Sequence, residues 1–388
     1  MMSEIALERS SIRIGFSSVP APRPAPTLRS DLLVDTPTAV INVRRMTAGQ
    51  HRLSIILVLA FPIALTRAAE FDWPNWRGPN HDGVSKETSW SSTWPVGGPK
   101  QSWKAAVGTG FSSIVMANGR VYTMGNSNNT DSVVCLDAET GNPLWKHSYL
   151  AKLEAYLYEG GPNATPTVDG SFLYSVGRRG QLFCLDRKTG KEIWSCHLFK
   201  EFSLENPPKD WWGISGSPLV AGDLLIINAG TFGVAVEKKT GKPLWSSGKE
   251  PCGYATPVPF DHRGVHTQMN PAVLIGGHLY GVTGQERSKA EIRCVEFKTG
   301  KVKWSEPFAT MGSLMAAGGR LIALSETGEL LIAEAKPDAF KELARAQVLG
   351  GRCWTVPVLS NGRIFCRNAK GDLVCLNVRP QLAEPGPP

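Results

Sequence analysis

The chain has 388 residues, of which 42% are hydrophobic and 20% are charged, values typical of globular proteins. This composition excludes collagen, a coiled coil and wholesale disorder, and no apolar run reaches the roughly 18 residues of a membrane-spanning helix. The formal charge is +8, but residues 1–68 hold eight arginines against four acids, which leaves 34 basic and 30 acidic residues elsewhere. So small a charge predicts no nucleic-acid partner.

The N-terminal part of the chain has the pattern of an export signal. Residues 1–45 are rich in proline and lack periodicity, so we expect a disordered extension or a mis-assigned start upstream of Met46. An apolar run of 13 residues, 53–65, follows three arginines and precedes small residues. This order predicts a cleaved signal peptide over residues 46–69. The run contains no cysteine to accept a lipid, so we expect a periplasmic or secreted protein without a membrane anchor after cleavage.

An eleven-residue pattern then recurs along the chain. It has Cys or Ala first, an acid third, Thr-Gly in the middle and Trp at the end, as in residues 135–145 (CLDAETGNPLW). Further copies occupy residues 184–194, 235–245 and 294–304, with degenerate ones at 332–334 and 375–377. Each copy is preceded by a Gly turn that opens an alternating run, and most are preceded further upstream by a short apolar piece that contains proline. Each unit therefore predicts four short strands, which we label A to D.

Four-stranded units of about 40–50 residues are typical of β-propeller blades, so the fold class is all-β. Six A–C units are present, and the last lacks a Trp-bearing strand D. Residues 100–104 resemble a lone strand D, so we expect the N-terminal strand to complete the last blade and close the ring. An extra strand-A copy at 256–259 comes only 14 residues before the next one. Either a lost blade or a long loop would explain this copy. The number of blades is therefore six, with a degenerate ring of seven or eight blades as the alternative.

The cysteines divide into two groups. Cys135, Cys184, Cys294 and Cys375 share one repeat position with Ala235 and Ile332, so they are expected to be packing residues. One disulfide is left open among the cysteines outside that position, which are Cys196, Cys252, Cys353 and Cys366. The spacing of cysteines and histidines matches no zinc or haem motif, and we assign no metal ligand.

The turns of such a blade predict two different faces. The A–B and C–D turns share one face and carry many lysines and arginines, whereas the B–C and D–A connections include the longer loops. Candidate partner-binding residues in these loops are Trp211, Trp212, Tyr254 and Trp354, with Arg178 and Arg179 nearby. Aromatic residues in long loops favour a protein or peptide partner on this face. Core packing of the two adjacent tryptophans is the alternative.

The repeat resembles the pyrrolo-quinoline quinone (PQQ) repeat of PQQ-dependent alcohol dehydrogenases and of BamB-like propellers. The resemblance covers residues 97–379 of this chain. Residues 70–96 form a leading segment, and within it residues 73–83 (WPNWRGPNHDG) resemble the segment that precedes the propeller in secreted bacterial BamB-like proteins. Residues 380–388 are expected to form a disordered tail. PQQ enzymes of this class carry an adjacent Cys-Cys pair, calcium ligands and a catalytic Asp, and we match none of them here.

The resemblance therefore implies a non-catalytic binding or scaffold propeller, with no catalytic residue assigned and no cofactor. The alternative is a PQQ-dependent alcohol dehydrogenase-type oxidoreductase that uses PQQ with calcium. In that case PQQ would stack on Trp212 or Trp354, with Arg178 or Arg179 near its carboxylates.

Overall fold

The computed structural model describes residues 71–155, 158–205, 212–231, 233–257, 272–283, 290–308 and 311–380. The expected extension and signal peptide, Trp211 and nearly all of the tail lie outside these ranges. One short helix, α1 (Leu198–Glu201), accompanies 25 strands in the described residues. None of the helical structure described is long and apolar enough to span a bilayer.

The described strands form six sheets of four antiparallel strands each, one of which gains a short parallel fifth strand from the N-terminal segment, and this confirms the predicted propeller of six blades. Two strands precede the first blade, β1 (Val84–Ser85) and β2 (Lys100–Ala106). Blade 1 consists of β3 (Val115–Ala117), β4 (Arg120–Ser127), β5 (Thr130–Asp137) and β6 (Pro143–Leu150). Blade 2 consists of β7 (Thr167–Asp169), β8 (Phe172–Val176), β9 (Gln181–Asp186) and β10 (Glu192–His197). Blade 3 consists of β11 (Leu219–Ala221), β12 (Leu224–Ile227), β13 (Val234–Glu237) and β14 (Pro243–Ser246).

The second half of the ring repeats this arrangement. Blade 4 consists of β15 (Val273–Ile275), β16 (His278–Thr283), β17 (Ala290–Glu296) and β18 (Val302–Phe308). Blade 5 consists of β19 (Gly312–Ala317), β20 (Arg320–Ser325), β21 (Glu329–Glu334) and β22 (Glu342–Gln347). Blade 6 contains β23 (Val358–Ser360), β24 (Arg363–Arg367) and β25 (Asp372–Asn377). In blades 1, 2, 5 and 6 the middle strands are largely apolar and buried and the last strand is more exposed, whereas the middle strands of blade 4 are mostly half-buried.

The N-terminal strand β2 completes blade 6, as the sequence predicts. It pairs antiparallel with β25 and places Trp103 opposite Cys375. The same pairing of the repeat Trp with the repeat Cys occurs within blade 1, where Trp145 lies opposite Cys135. The two ends of the propeller are thereby joined in one sheet, which leaves no unpaired edge on β25.

The repeat Trp connects each of four blades to the next one. The indole N–H donates to a carbonyl just beyond the acidic position of the following blade, as from Trp103 to Ala138 at 3.1 Å and from Trp145 to Arg187 at 3.1 Å. At three of these junctions the ring also lies against the Gly of the Thr-Gly turn, as a Cβ on Gly190 would meet Trp145 at 2.5 Å. Gly190 also has a φ of 72°, so glycine is required twice over. This contact explains why Trp and Gly recur together.

The junction between blades 3 and 4 departs from this rule. Trp245 of blade 3 is 42% exposed, and a Cβ on Gly300 of blade 4 would meet no atom of the described residues within 4 Å. The extra strand-A copy explains the departure: its Thr256 Oγ1 accepts a hydrogen bond from Ser217 N at 3.0 Å. Thr165 accepts the same bond from Ser113 N between blades 1 and 2. Thr256 thus occupies the position of a next blade, which favours the remnant of a blade over a plain loop.

An N-terminal strap, residues 71–90, runs along the inner strands on the A–B turn face. Its contacts with the ring are the bridge of Trp73 to Met116, the bond from Val168 N to Pro74 O, the bond from Arg77 to Ala272 O, the pairing of β1 with β19, and the bonds from Asn361 N and Gly362 N to Glu87. These contacts involve blades 1, 2, 5 and 6 and the residue just before blade 4. The strap therefore ties distant parts of the ring together.

Candidate functional site

Five aromatic side chains form a continuous row on the face of the B–C and D–A connections. The row runs Trp354, Phe111, Tyr158, Trp212, Tyr254, with successive ring centroids 5.3, 5.4, 5.2 and 5.6 Å apart. Every ring comes from a connection that leads out of the last strand of a blade. Because these connections cross between neighbouring blades, the row brings together loops from five consecutive junctions of the ring.

The rings of the row are partly buried and held by hydrogen bonds, and part of their surface is accessible to solvent. Tyr158 is buried, Phe111, Trp212 and Trp354 are half-buried, and Tyr254 is 43% exposed. Asn163 donates to the carbonyl of Trp212 at 3.1 Å and to Ser215 Oγ at 3.1 Å. Burial also raises the pKa of the Tyr158 phenol, which therefore stays neutral. The rings present a preformed apolar surface with neutral polar edges.

Three arginines flank the row, and each is paired with a carboxylate. Arg179 Nη2 lies 2.6 Å from Glu154 Oε1, and Arg178 Nε lies 3.6 Å from Glu154 Oε2. The guanidinium of Arg178 also stacks on Tyr158, with its carbon 5.5 Å from the ring centroid. At this end of the row the cations are therefore held by neighbouring groups.

The other end of the row repeats the arrangement. Arg352 stacks on Trp354 at 4.6 Å and pairs with Glu159 at 2.8 Å and with Glu326 at 3.6 Å. The indole N–H of Trp354 donates to Glu326 at 3.0 Å. Three arginines thus face three glutamates, and the charges of these ion pairs balance.

The structure brings the sequence-predicted residues together, except Trp211, which lies outside the described ranges. Trp212, Tyr254 and Trp354 all belong to the row, and Arg178 and Arg179 lie beside it. Sequence reasoning missed the remaining members, which are Phe111, Tyr158, Arg352, Glu154, Glu159 and Glu326. For Phe111 a signal existed, because it stands two residues before the strand-A residue Ser113, as Tyr254 stands before Thr256.

Comparison with known proteins agrees with this architecture. A family model described as outer membrane protein assembly factor BamB matches residues 129–258. The structure of the quinohemoprotein alcohol dehydrogenase from Comamonas testosteroni matches with a TM-score of 0.56 and 12% identity, over 83% of each chain. The chain is a β-propeller, and its residues 129–258 resemble the PQQ-like repeats of that family.

Two curated relatives resemble part of this PQQ-like propeller. The dehydrogenase subunit of the quinone alcohol dehydrogenase of Gluconobacter oxydans is 32% identical over 145 residues, 34% of this chain and 18% of the relative. The quinohemoprotein alcohol dehydrogenase ADH IIB of Pseudomonas putida is 30% identical over 154 residues, 37% of this chain and 21% of the relative. The chain spans about a fifth of the length of these relatives.

The opposite face of the propeller is built from the A–B and C–D turns, as predicted. Arg120, in the A–B turn of blade 1, donates to the carbonyl of Lys188, in the C–D turn of blade 2, at 2.7 Å. Some of its cations are paired, such as Lys238 with Asp169 at 2.8 Å and Arg363 with Glu139. This face is rich in cations, but acids of the same turns neutralise part of the charge.

The cysteine thiols are buried, except that of Cys196, which is half-buried. Cys196, Cys353 and Cys366 are free thiols, and the Cys252 thiol donates to the carbonyl of Asn228 at 3.0 Å, so the disulfide left open by the sequence is not formed. Burial raises the pKa of Cys135 to about 11 and of Cys375 to about 12, in keeping with packing roles. Within the described ranges, no three His, Cys, Asp or Glu side chains are grouped so that they could hold a metal ion.

Proposed function

We propose that this propeller is an exported, non-catalytic binding or scaffold module that holds a protein or peptide partner on its aromatic row. The supporting observation is the row itself, five rings contributed by loops from consecutive junctions and fixed by hydrogen bonds and ion pairs. Export is supported by the pattern of residues 46–69.

The surroundings of the row indicate the chemistry of the partner. Tyrosine and tryptophan bury a large area at a small cost in side-chain entropy, and they dominate the energetics of interfaces. The flanking charges already balance, so a charged partner would have to break ion pairs such as Arg179–Glu154. We therefore propose an uncharged, apolar stretch of polypeptide in extended conformation.

The two curated relatives favour a second candidate, a PQQ-dependent alcohol dehydrogenase. The rings of Trp212 and Trp354 lie on the same face as Arg178 and Arg179, as that hypothesis requires. However, both arginines are bonded to Glu154, and the carboxylates of PQQ would approach a site that already holds three glutamates. The residues fit PQQ poorly, and we derive no reaction step from it.

The proposal can be tested with a random displayed library of dodecapeptides selected on the purified protein. We expect selected peptides to be uncharged and rich in proline and aromatic residues. The double variant Trp212→Ala/Trp354→Ala should weaken their binding at least about 10-fold, because each ring is a hot-spot candidate. The matched control Lys239→Glu/Lys242→Glu changes two exposed cations of the other face and should bind normally.

Two outcomes would contradict the proposal. If binding survives the aromatic substitutions and is lost with the lysine substitutions, the faces are assigned the wrong way round. Calorimetric titration with PQQ and calcium separates the second candidate, since a dissociation constant below about 1 μM would favour the dehydrogenase.

A further inference from the structure

A polar cavity of about 490 Å³ lies on the A–B turn face, away from the aromatic row. The N-terminal strap forms one wall, and the inner strands β7 and β11 of blades 2 and 3 form the other. Its lining residues are Asn75, Pro79, Asn80, His81, Val168, Asp169 and Val220. Four of these seven belong to the motif of residues 73–83, which the aromatic row does not use.

The strap wall is held in a fixed and unusual conformation. Arg77 and His81 both adopt left-handed backbone angles, with φ values of 64° and 57°. Such angles persist in non-glycine residues when the surroundings enforce them, and they cluster at ligand-binding sites. Here the buried guanidinium of Arg77 donates to Asp82 O at 2.7 Å and to Ala272 O at 3.1 Å. Gly78 packs directly under the ring of Trp73.

The lining combines hydrogen-bonding groups with apolar patches. Two amides and an imidazole come from the strap, and a carboxylate faces them from β7. Asp169 is paired with Lys238 Nζ at 2.8 Å. Burial lowers the pKa of His81, and the charge of Arg77 lowers it further, against smaller raising effects of a backbone hydrogen bond at Trp76 and of Asp82, so the ring is neutral at pH 7. The cavity therefore offers donors and acceptors without an uncompensated charge.

We propose that this cavity binds a neutral polyhydroxylated ligand, a saccharide unit of a glycan. Side-chain amides and the Asp169 carboxylate can bond neighbouring hydroxyl groups, while Val168, Val220 and Pro79 contact the C–H faces of the sugar ring. The volume falls within the roughly 300–1,000 Å³ of small-molecule sites. An anion such as phosphate is disfavoured because Lys238 is already engaged by Asp169.

The test is a calorimetric titration of the purified protein with cellobiose, maltose and N,N′-diacetylchitobiose, each up to about 10 mM, with inorganic phosphate as the contrasting probe. We expect at least one disaccharide to bind saturably and phosphate not to bind. Asn75→Ala/Asn80→Ala should weaken that binding by about 10-fold or more, because two amide partners are lost. The matched control Asn142→Ala makes the same change in an exposed turn and should bind normally.

Several results would overturn the proposal. These are no saturable binding of any of the three sugars, binding of phosphate in their place, or unchanged sugar affinity in Asn75→Ala/Asn80→Ala. Should that double variant unfold, Asn80→Ala alone, at an exposed position, must weaken binding by about 3-fold or more. Trp212→Ala/Trp354→Ala should leave sugar binding intact, so this site and the aromatic row can fail independently.

Discussion

Ring closure by β2 makes a quantitative prediction for Trp103. This side chain is 8% exposed, its N–H donates to Ala138 O at 3.1 Å, and its ring covers Gly141 of blade 1. Trp103→Ala removes the ring and leaves a cavity between the first and last blades. Buried Trp→Ala substitutions cost about 3–5 kcal/mol in the free energy of unfolding. At about 2 °C per kcal/mol for a domain of this size, the melting temperature should fall by about 6–10 °C.

The chain supplies its own control. Trp245 occupies the same repeat position in blade 3, opposite Ala235, but it is 42% exposed because the following junction is interrupted. Trp245→Ala should therefore cost less than about 1 kcal/mol. Both variants can be followed by calorimetry and by circular dichroism during thermal unfolding. Equal losses in the two variants, or a loss below about 1 kcal/mol for Trp103→Ala, would show that the β2 junction does not hold the ring closed.

Three further predictions concern the turn and the strap. Gly190→Ala should lower the free energy of unfolding, measured by urea titration, by about 2 kcal/mol or more, because its Cβ would meet Trp145 at 2.5 Å. The control Gly170→Ala has the same left-handed backbone but open space around the Cβ, so it should cost about 1 kcal/mol. Arg77→Ala should cost about 2–3 kcal/mol in the same assay, because it leaves two carbonyl acceptors without their partner, and an unchanged midpoint would argue against the strap as a tie. Burial raises the pKa of the Glu87 carboxyl above its usual 4.5, so the folded state binds this proton more tightly than the unfolded chain, and stability from this group should increase as the pH falls from 7 towards 4.5. The stability of Glu87→Gln relative to wild type should therefore be higher at pH 7 than at pH 4.5, and the reverse trend would contradict the shift.

Much of the fold was predictable because its determinants are local. The acid, the Thr-Gly turn and the Trp recur as one unit, and the structure shows them acting as one: Asp137 Oδ1 accepts from the N–H groups of Glu139 and Thr140, and Gly141 has a φ of 73°. Counting these units also predicted closure by Trp103. A repeated contact between neighbouring blades leaves a repeated trace in the sequence.

The candidate site was predictable only in part because its neighbours are distant in sequence. Trp212 and Trp354 drew attention as unusual residues in long loops. Glu154 and Arg352 did not, because a salt bridge between loops of different blades has no local spacing to reveal it. The strap was recognised as a motif, but its contacts with blades 2, 5 and 6 depend on how the ring closes.

The extra strand-A copy after blade 3 retains the residues that contribute to the aromatic row, although the rest of a blade is not described there. Within the described residues this copy supplies Thr256, which continues the hydrogen bonds between inner strands, and Tyr254, the last ring of the row. The outer contact normally made by a repeat Trp is missing at this junction, where Trp245 stays exposed. The inner bond and the aromatic ring are thus present where the outer packing is not. A ring needed only for packing would be expected to disappear together with the blade that it covers, so the presence of Tyr254 supports a binding role for the row.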